Sequence, residues 1–418
     1  MTIIDEQNFI NACNALDGDD FCIEANLYLK KIDSSVKLNE FIEILGKVCK
    51  FKNIEASHEL YSVCYLLRDK TYELLLAKGD VPEQNVIYLY ALFRLCTLTE
   101  DSRFVGYERF VEQNLYSEGI TDTERVFLIV LGFFAAMANS RSDAYEKFLS
   151  ASMKLNFMEI SHISFSLLIT DFINHIDIDI NETFEVLKKV WNKESYFALD
   201  KTVRRSVFNW SLHSLWGVEK YFNHTLWTFF YPLWKDIFYE HIKRDECDEA
   251  MYVHFFIYHK MGNSFQTQEE WKMFNDEIDI PAAGYYKEWV ERAGLDRCKT
   301  KQSSGKKVMG FLWDRFVENS PFKITYSLWK MLTSNKAFMD KFDIKIYSMG
   351  YFEKSNDDPE CVDSVRKLGI EIFDGAEPFY ADGFYHSHLE KALYIRQKII
   401  NDGVDIMIHG ASYDINDF

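Results

Sequence analysis

Apolar residues recur at three- and four-residue spacing through most of the first 296 positions, then change after residue 306 to short unbroken runs. The first pattern is that of amphipathic helices, and the second is that of buried strands. Helical stripes run over 23–32, 38–50 and 60–76, the last carried by Leu60, Val63, Cys64, Leu67, Tyr72 and Leu75. Asp80 and Pro82 stop one helix and start the next, with Val86, Tyr88, Leu92 and Leu95 facing inward. Thr121-Asp122-Thr123-Glu124 reads as a capping box ahead of the apolar run 126–138, and Ser142-Asp143 opens another helix. Further helical segments follow at 160–175, 183–191, 203–216, 226–242, 250–260 and 271–274. Helices of this length joined by short polar turns predict a solenoid-like, repeat-like domain over 1–296, although no tetratricopeptide or ankyrin signature is written in it.

The stretch 297–305, within DRCKTKQSSGKK, is basic, polar and almost free of apolar side chains, and reads as a linker. Residues 306–418 then alternate between the two periods. A strand is expected at 308–313, a polar loop, a long amphipathic helix, and a strand at 344–349. A helix at 359–368, a strand at 370–373, a loop over 374–388, a helix at 389–401 ended by Gly403, and a strand at 404–408 complete the module. The predicted fold is therefore a mainly α N-terminal domain followed by an α/β Rossmann-like domain whose parallel strands are joined by right-handed crossovers.

Ligands of such sheets sit at the carboxyl ends of the strands, so four loops carry the candidate chemistry: 313–319, 350–357, 374–388 and 409–414. The first loop, WDRFVENSPF, has no GxGxxG, and bulky side chains stand where a dinucleotide pyrophosphate needs glycine. A dehydrogenase is disfavoured on that ground. Asp314 and Arg315 either orient an acceptor or form a surface ion pair. His386 and His388 lie in a loop of Gly, Tyr and Asp where an imidazole can serve as general base; the competing reading is that they stabilise the loop. His409 ends the fourth strand, and Gly410 beside it lets a ligand approach the backbone. His254 and His259 are five apart, unlike helical zinc ligands, and read as packed; no metal is expected. The tryptophans at 210, 216, 227 and 234 read as core aromatics rather than a stacking platform.

Composition narrows the partners. The net charge is −18, of which −4 falls in 306–418, so nucleic acid and anionic membrane are disfavoured. The longest apolar run, 126–138, is far short of the ~20 residues a membrane span needs. No basic leader precedes an apolar core at the N-terminus, and the eight cysteines show no CxxC pair. Reduced thiols in a cytoplasmic protein are the expectation.

The segments KKVMGFLWDRFVENSPF, IKIYSMG, DSVRKLGIEIFD and IRQKIINDGVDIMIHGASYD, in that order behind a helical region, resemble the first half of a GT-B glycosyltransferase. More narrowly, they are similar to the protein O-linked N-acetylglucosamine transferase type. The resemblance implies a sugar nucleotide as donor for the complete enzyme, no cofactor in this chain itself, a protein or glycan acceptor, and ligand contacts at Gly410 and Tyr413. Ser320-Pro321 stands where the family carries His-Pro, so His386, His388 or His409 is expected to substitute for that histidine. The chain ends just past the fourth strand, and the expectation is an N-terminal portion of such an enzyme. The alternatives are a helical protein-interaction scaffold with an inactive α/β appendage, and an unrelated α/β enzyme or nucleotide-binding regulator.

Overall fold

A computed structural model describes residues 18–34 and a few positions up to 74. It also describes most of 103–409, apart from 118–121, 139–140, 154–168, 171–172, 174–177, 216–217, 296–304 and 352–355. The helical stripes expected over 38–50, 60–76 and 80–95 and the segment 160–175 fall mostly outside the described residues, as do the linker and Trp216. The chain divides into two compact units. One holds 1–157, 161–195 and 210–222; the other holds 158–160, 196–209 and 223–418. The sheet thus shares its unit with helices that lie well upstream of residue 306 in sequence.

In the first unit the described helices are α1 (Gly18–Lys31), α2 (Arg103–Asn114), α3 (Asp122–Ala138), α4 (Ala144–Met153) and α5 (Ile180–Val190). From α2 onward each packs on the next. Gly132 allows α3 to lie close on α2, because a Cβ there would stand 3.1 Å from a Val111 methyl. Arg125 closes the C-terminus of α2, donating to the carbonyls of Leu115 and Ser117 at 2.8 and 3.2 Å. A buried hydroxyl chain runs from Tyr145 through Thr183 (3.2 Å) to Tyr221 (2.8 Å). The expected helix at 183–191 begins earlier, since the Asp179 carboxylate accepts from the amides of Asn181 and Glu182.

The second unit carries α6 (Lys193–Ala198) in its later half, then α7 (Lys201–Trp210) up to Asn209. A 3₁₀ turn at Thr225–Phe230 leads into α8 (Tyr231–Lys243). The single helix expected over 226–242 breaks there because Pro232 fits the first turn of a new helix and lacks an amide for the previous one. Next come α9 (Cys247–Ser264) and α10 (Gln268–Phe274), the latter opened by a Thr267–Glu270 capping box. A π turn at Asn275–Asp279 carries the chain into α11 (Ile280–Arg292). This turn brings the Asp279 carboxylate to 3.1 Å from Nε2 of the fully buried His254, whose Nδ1 meets the Tyr286 hydroxyl at 3.3 Å. His259 packs on Phe255 with ring centroids 4.3 Å apart. Trp227 and Trp234 are fully buried and stacked, with the Lys260 ammonium 4.3 Å above the Trp227 ring.

The sheet consists of β1 (Lys307–Trp313), β2 (Phe342–Ser348), β3 (Glu371–Asp374) and β4 (Val404–His409), all parallel in the order β3-β2-β1-β4. Its connections are α12 (Ser320–Ser334) and α13 (Lys336–Met339), then α14 (Pro359–Arg366), then α15 (His388–Asn401). Phe311, Trp313 and Ile346 turn one face of the sheet toward α12 and α14, where the fully buried Trp329 meets Phe311 and Trp313 edge-on at 5.7 and 5.3 Å. Gly310 points to the opposite face, where a Cβ would stand 2.8 Å from the sulfur of Met407. On that second face Tyr347 donates to Asp402 at 2.8 Å, and Asp402 also accepts from Lys398 at 2.6 Å, fixing the end of α15 to β2.

A buried ion cluster ties the helices to this module. Arg205 of α7 donates to Asp248 at 2.5 Å and to Glu249 at 2.7 and 3.0 Å, both at the start of α9. Its remaining nitrogen donates to the carbonyl of His386 at 2.7 Å, just ahead of α15. The guanidinium also lies 4.7 Å over the Tyr252 ring. Asp248 completes the link by accepting from the amide of Leu389 at 3.1 Å, in the first turn of α15. Burial by itself would lower the arginine's basicity, but Asp248 and Glu249 raise it above its ordinary value. Removing one partner of such a cluster leaves buried charge without compensation. Arg205→Met is expected to destabilise the protein by about 3–5 kcal/mol, and adding Glu249→Leu to recover part of that loss, as read by urea unfolding.

Candidate functional site at the carboxyl edge of the sheet

Two kinds of crossover leave β1: the chain passes to β2 and β3 on one side and returns to β4 on the other. Strand order therefore reverses between β1 and β4, and the loops at the carboxyl ends there cannot close over one another. Backbone bonds hold the surrounding loops. The amide of Met349 donates to the Trp313 carbonyl at 2.7 Å, and that of Tyr351 to the Asp314 carbonyl at 3.3 Å. Phe316 and 357–358 clamp each other: the Phe316 amide donates to the Asp357 carboxylate, and the Asp358 amide to the Phe316 carbonyl, both at 2.7 Å. Gly350 makes the bend after β2 at φ +54°, where any Cβ would fall 2.5 Å from that of Ala376.

Three carboxylates come from three of these loops. Asp314 is 9% exposed and accepts from the Arg315 amide at 2.7 Å, with the Arg315 guanidinium 3.9 Å from its other oxygen. The two residues singled out from sequence thus do form an ion pair, and it lies at the sheet edge. Asp374 ends β3; it accepts from the Ala376 amide at 2.8 Å and from the Tyr380 hydroxyl at 3.1 Å. Asp357 stands among them with its carboxyl pushed up to about 6. Burial is the main cause, opposed by the bond from the Phe316 amide; the charges of Asp374 and Asp314 raise it further, and Arg315 lowers it. Among the described residues, no three His, Cys, Asp or Glu side chains converge closely enough to hold a metal ion.

The histidines take different places. His386 and His388 are each 1% exposed, so they lie beneath their loop rather than on its rim. The His386 ring meets the Gly383 carbonyl at 3.1 Å, and the His388 ring packs against Tyr252, Phe255 and Tyr351 at 5.2, 5.2 and 5.8 Å. His409 is exposed at the end of β4, in register with Leu312 of β1. Gly410 and Tyr413 lie outside the described residues.

Asp357, Asp374 and Tyr380 were not legible as site residues from sequence. Asp374 had a signal, being the polar residue that ends the third apolar run. Asp357 closes the loop 350–357, one of the four candidate loops, but nothing in the run NDDP separates it from Asp358, which takes the N-cap of α14 by accepting from the Glu360 amide at 2.9 Å. Chemically, the described residues of the edge offer several acceptors for hydroxyl donors, the Arg315 cation, and one carboxyl that is ionised at neutral pH yet more basic than usual. It is suited to hold a hydroxyl-rich molecule and draw a proton from it.

The raised carboxyl has a stability consequence. A carboxyl whose folded value exceeds its unfolded value near 3.9 favours folding in its protonated form. Its contribution is fully present below about pH 4 and is lost as pH rises toward 6. Between these values the wild-type urea midpoint is expected to fall relative to that of Asp357→Asn, which keeps an oxygen for the Phe316 amide; parallel curves for the two proteins would refute the assignment.

No family model, no curated protein and no solved structure matches the chain.

Proposed function

We propose that this chain is the acceptor-binding portion of a sugar-nucleotide-dependent glycosyltransferase, its sheet forming the first Rossmann-like domain of a GT-B fold. The observation that carries the reading is Asp357: a carboxyl pushed up to about 6 at the carboxyl edge of a parallel sheet, in the loop after β2 and bonded to the loop after β1. Inverting transfer needs a base for the acceptor hydroxyl, and a base with a value just below the working pH is both ionised and basic enough to serve. Asp357 takes that role here in preference to His386 and His388, whose rings are buried. Asp314, Asp374 and Tyr380 orient neighbouring hydroxyls of a protein or glycan acceptor, and Arg315 pairs with Asp314 and holds it in place. The acidic edge repels a diphosphate, so the leaving group of the donor falls to a second Rossmann-like domain, as the GT-B resemblance implies. The solenoid-like helical body selects or holds the acceptor. Among the described residues no helix is long and apolar enough to cross a membrane. A cytoplasmic setting suits the free thiols of Cys247 and Cys361.

A second reading, a helical interaction scaffold with an inactive α/β appendage, is favoured by a groove in the first unit. It measures about 460 Å³ and is floored by Val111, Leu115, Ile129 and Phe133, with Glu112 and Glu146 on its rim. An apolar floor with carboxylates at its edge suits a basic amphipathic helix.

Calorimetric titration with a panel of sugar nucleotides, followed by label transfer to peptide and glycan acceptors, separates the two readings. Under the transferase reading, Asp357→Asn lowers turnover by roughly 10²–10⁴-fold and removes the rising limb of the pH profile near 6. Acceptor binding stays within a few fold. Neither binding nor transfer of any sugar nucleotide would leave the scaffold.

A further inference from the structure

Two surfaces of this chain, one in each compact unit, match in length and are opposite in charge. The first lies on α12, which buries Phe322, Thr325 and Trp329 on one side. Its outer side leaves a second apolar row, Ile324, Leu328 and Met331, at 71, 37 and 62% exposure. Spacing of i, i+4 and i+7 puts the three on one ridge, ~10 Å long at ~1.5 Å rise per residue. Lys323 and Lys330, also seven apart, flank it, and no Asp or Glu occurs in 320–339. Lys323 pairs with the exposed Glu318 at 3.0 Å, whereas Lys330 forms no ion pair among the described residues. The second surface is the groove of about 460 Å³ in the first unit. Its floor row on α3 runs from Ile129 to Ala136, the same seven-residue reach, and the small Gly132 and Ala136 keep that row open. The described lining residues carry four carboxylates, Glu108, Glu112, Asp143 and Glu146, against one ammonium, Lys147. Arg141, Lys147 and Lys189 pair with Glu108, Asp143 and Glu146 at 3.1, 3.5 and 3.8 Å. Glu112 is exposed and forms no ion pair among the described residues.

We propose that the α12 ridge of one copy of this chain docks in the groove of a second copy. Ile324, Leu328 and Met331 lie along the α3 row, and Lys330 meets Glu112 at the rim. Both halves of a complementary pair are written in one chain: an apolar row with an unpaired cation, and an apolar row of equal length with an unpaired carboxylate. Burial of the apolar side chains supplies the attraction, and the charge pair sets the orientation. A contact between two unlike surfaces is heterologous. Each docked copy still offers a ridge or a groove, so assembly continues into a ring or an open chain. Three anchoring side chains make a small interface, and association belongs in the range of about 1–100 µM. The inference rests on the groove of the scaffold reading, whose occupant it names, and not on the proposed transferase activity.

The test is sedimentation velocity of the full chain across the micromolar range. The wild type is expected to gain mass with concentration and to pass beyond the dimer. Ile324→Glu with Met331→Glu on the ridge, and Ala151→Trp in the groove, should each weaken association by roughly tenfold or more. Mixed, these two variants should form a dimer of one copy each and nothing larger, because one intact ridge meets one intact groove. Lys330→Glu and Glu112→Lys should each weaken association by roughly threefold, and the chain carrying both should regain it. That exchange of charge decides the matter even if Ala151→Trp does not fold. A wild type that stays monomeric, association that survives the ridge substitutions, or a charge exchange that restores nothing would each overturn the proposal. If a monomeric wild type instead binds a synthetic amphipathic helix of leucine and lysine, and Glu112→Lys weakens that binding, the scaffold reading of the groove stands and only this inference falls.

Discussion

Desolvation of Arg205 is the constraint around which the sheet-bearing unit is built. A guanidinium 5% exposed is tolerable only when its donors are met, and here they are met by groups 43, 44 and 181 residues away. Asp248 is shared: one oxygen serves the arginine and the other the amide of Leu389. The first turn of α15 is thereby fixed to the first turn of α9. Everything that depends on the placement of α15 inherits this, including the loop after β3 and the crossover into β4. The hydrophobic core fills the volume, but it is the arginine's unsatisfied alternatives that make this arrangement of helices specific.

The carboxyl edge uses the same physics with the opposite outcome. At Arg205 the opposite charges compensate burial. At Asp357 the nearest charges are like, from Asp374 and Asp314, and a single amide and one guanidinium only partly offset them. The result is a carboxyl left poised instead of locked. A chain this acidic can surround such a group with further carboxylates easily, so the tuning requires no unusual residue, only the convergence of three loops.

Strands were readable because buried parallel strands are short apolar runs bounded by glycine and polar turns, and the observed β1 to β4 differ from expectation by one or two residues at their ends. Helix α11 was missed because IPAAGYYKEWVER buries only Ala282 and Tyr285 and carries a glycine, so its stripe is too thin to register. Neither Arg205 nor Asp357 was legible, since each owes its character to partners distant in sequence that no local pattern reports. His386 and His388 were visible as a pair in a polar loop; sequence could not show that the loop turns both rings inward, because the aromatic wall that receives them comes from Tyr252, Phe255 and Tyr351.

The π turn at Asn275–Asp279 has an implication for how this chain tolerates length changes. One residue beyond the α phase rotates everything downstream by about 100°, which is what sets Asp279 beside His254 and Tyr286 beside both. A one-residue deletion in most exposed helices shifts a surface. A deletion here would heal the turn into an ordinary helix and carry the carboxylate away from an imidazole that has no exposure to water. Insertions and deletions should therefore be excluded from these five residues more strictly than substitutions are, a pattern opposite to that of a connecting loop.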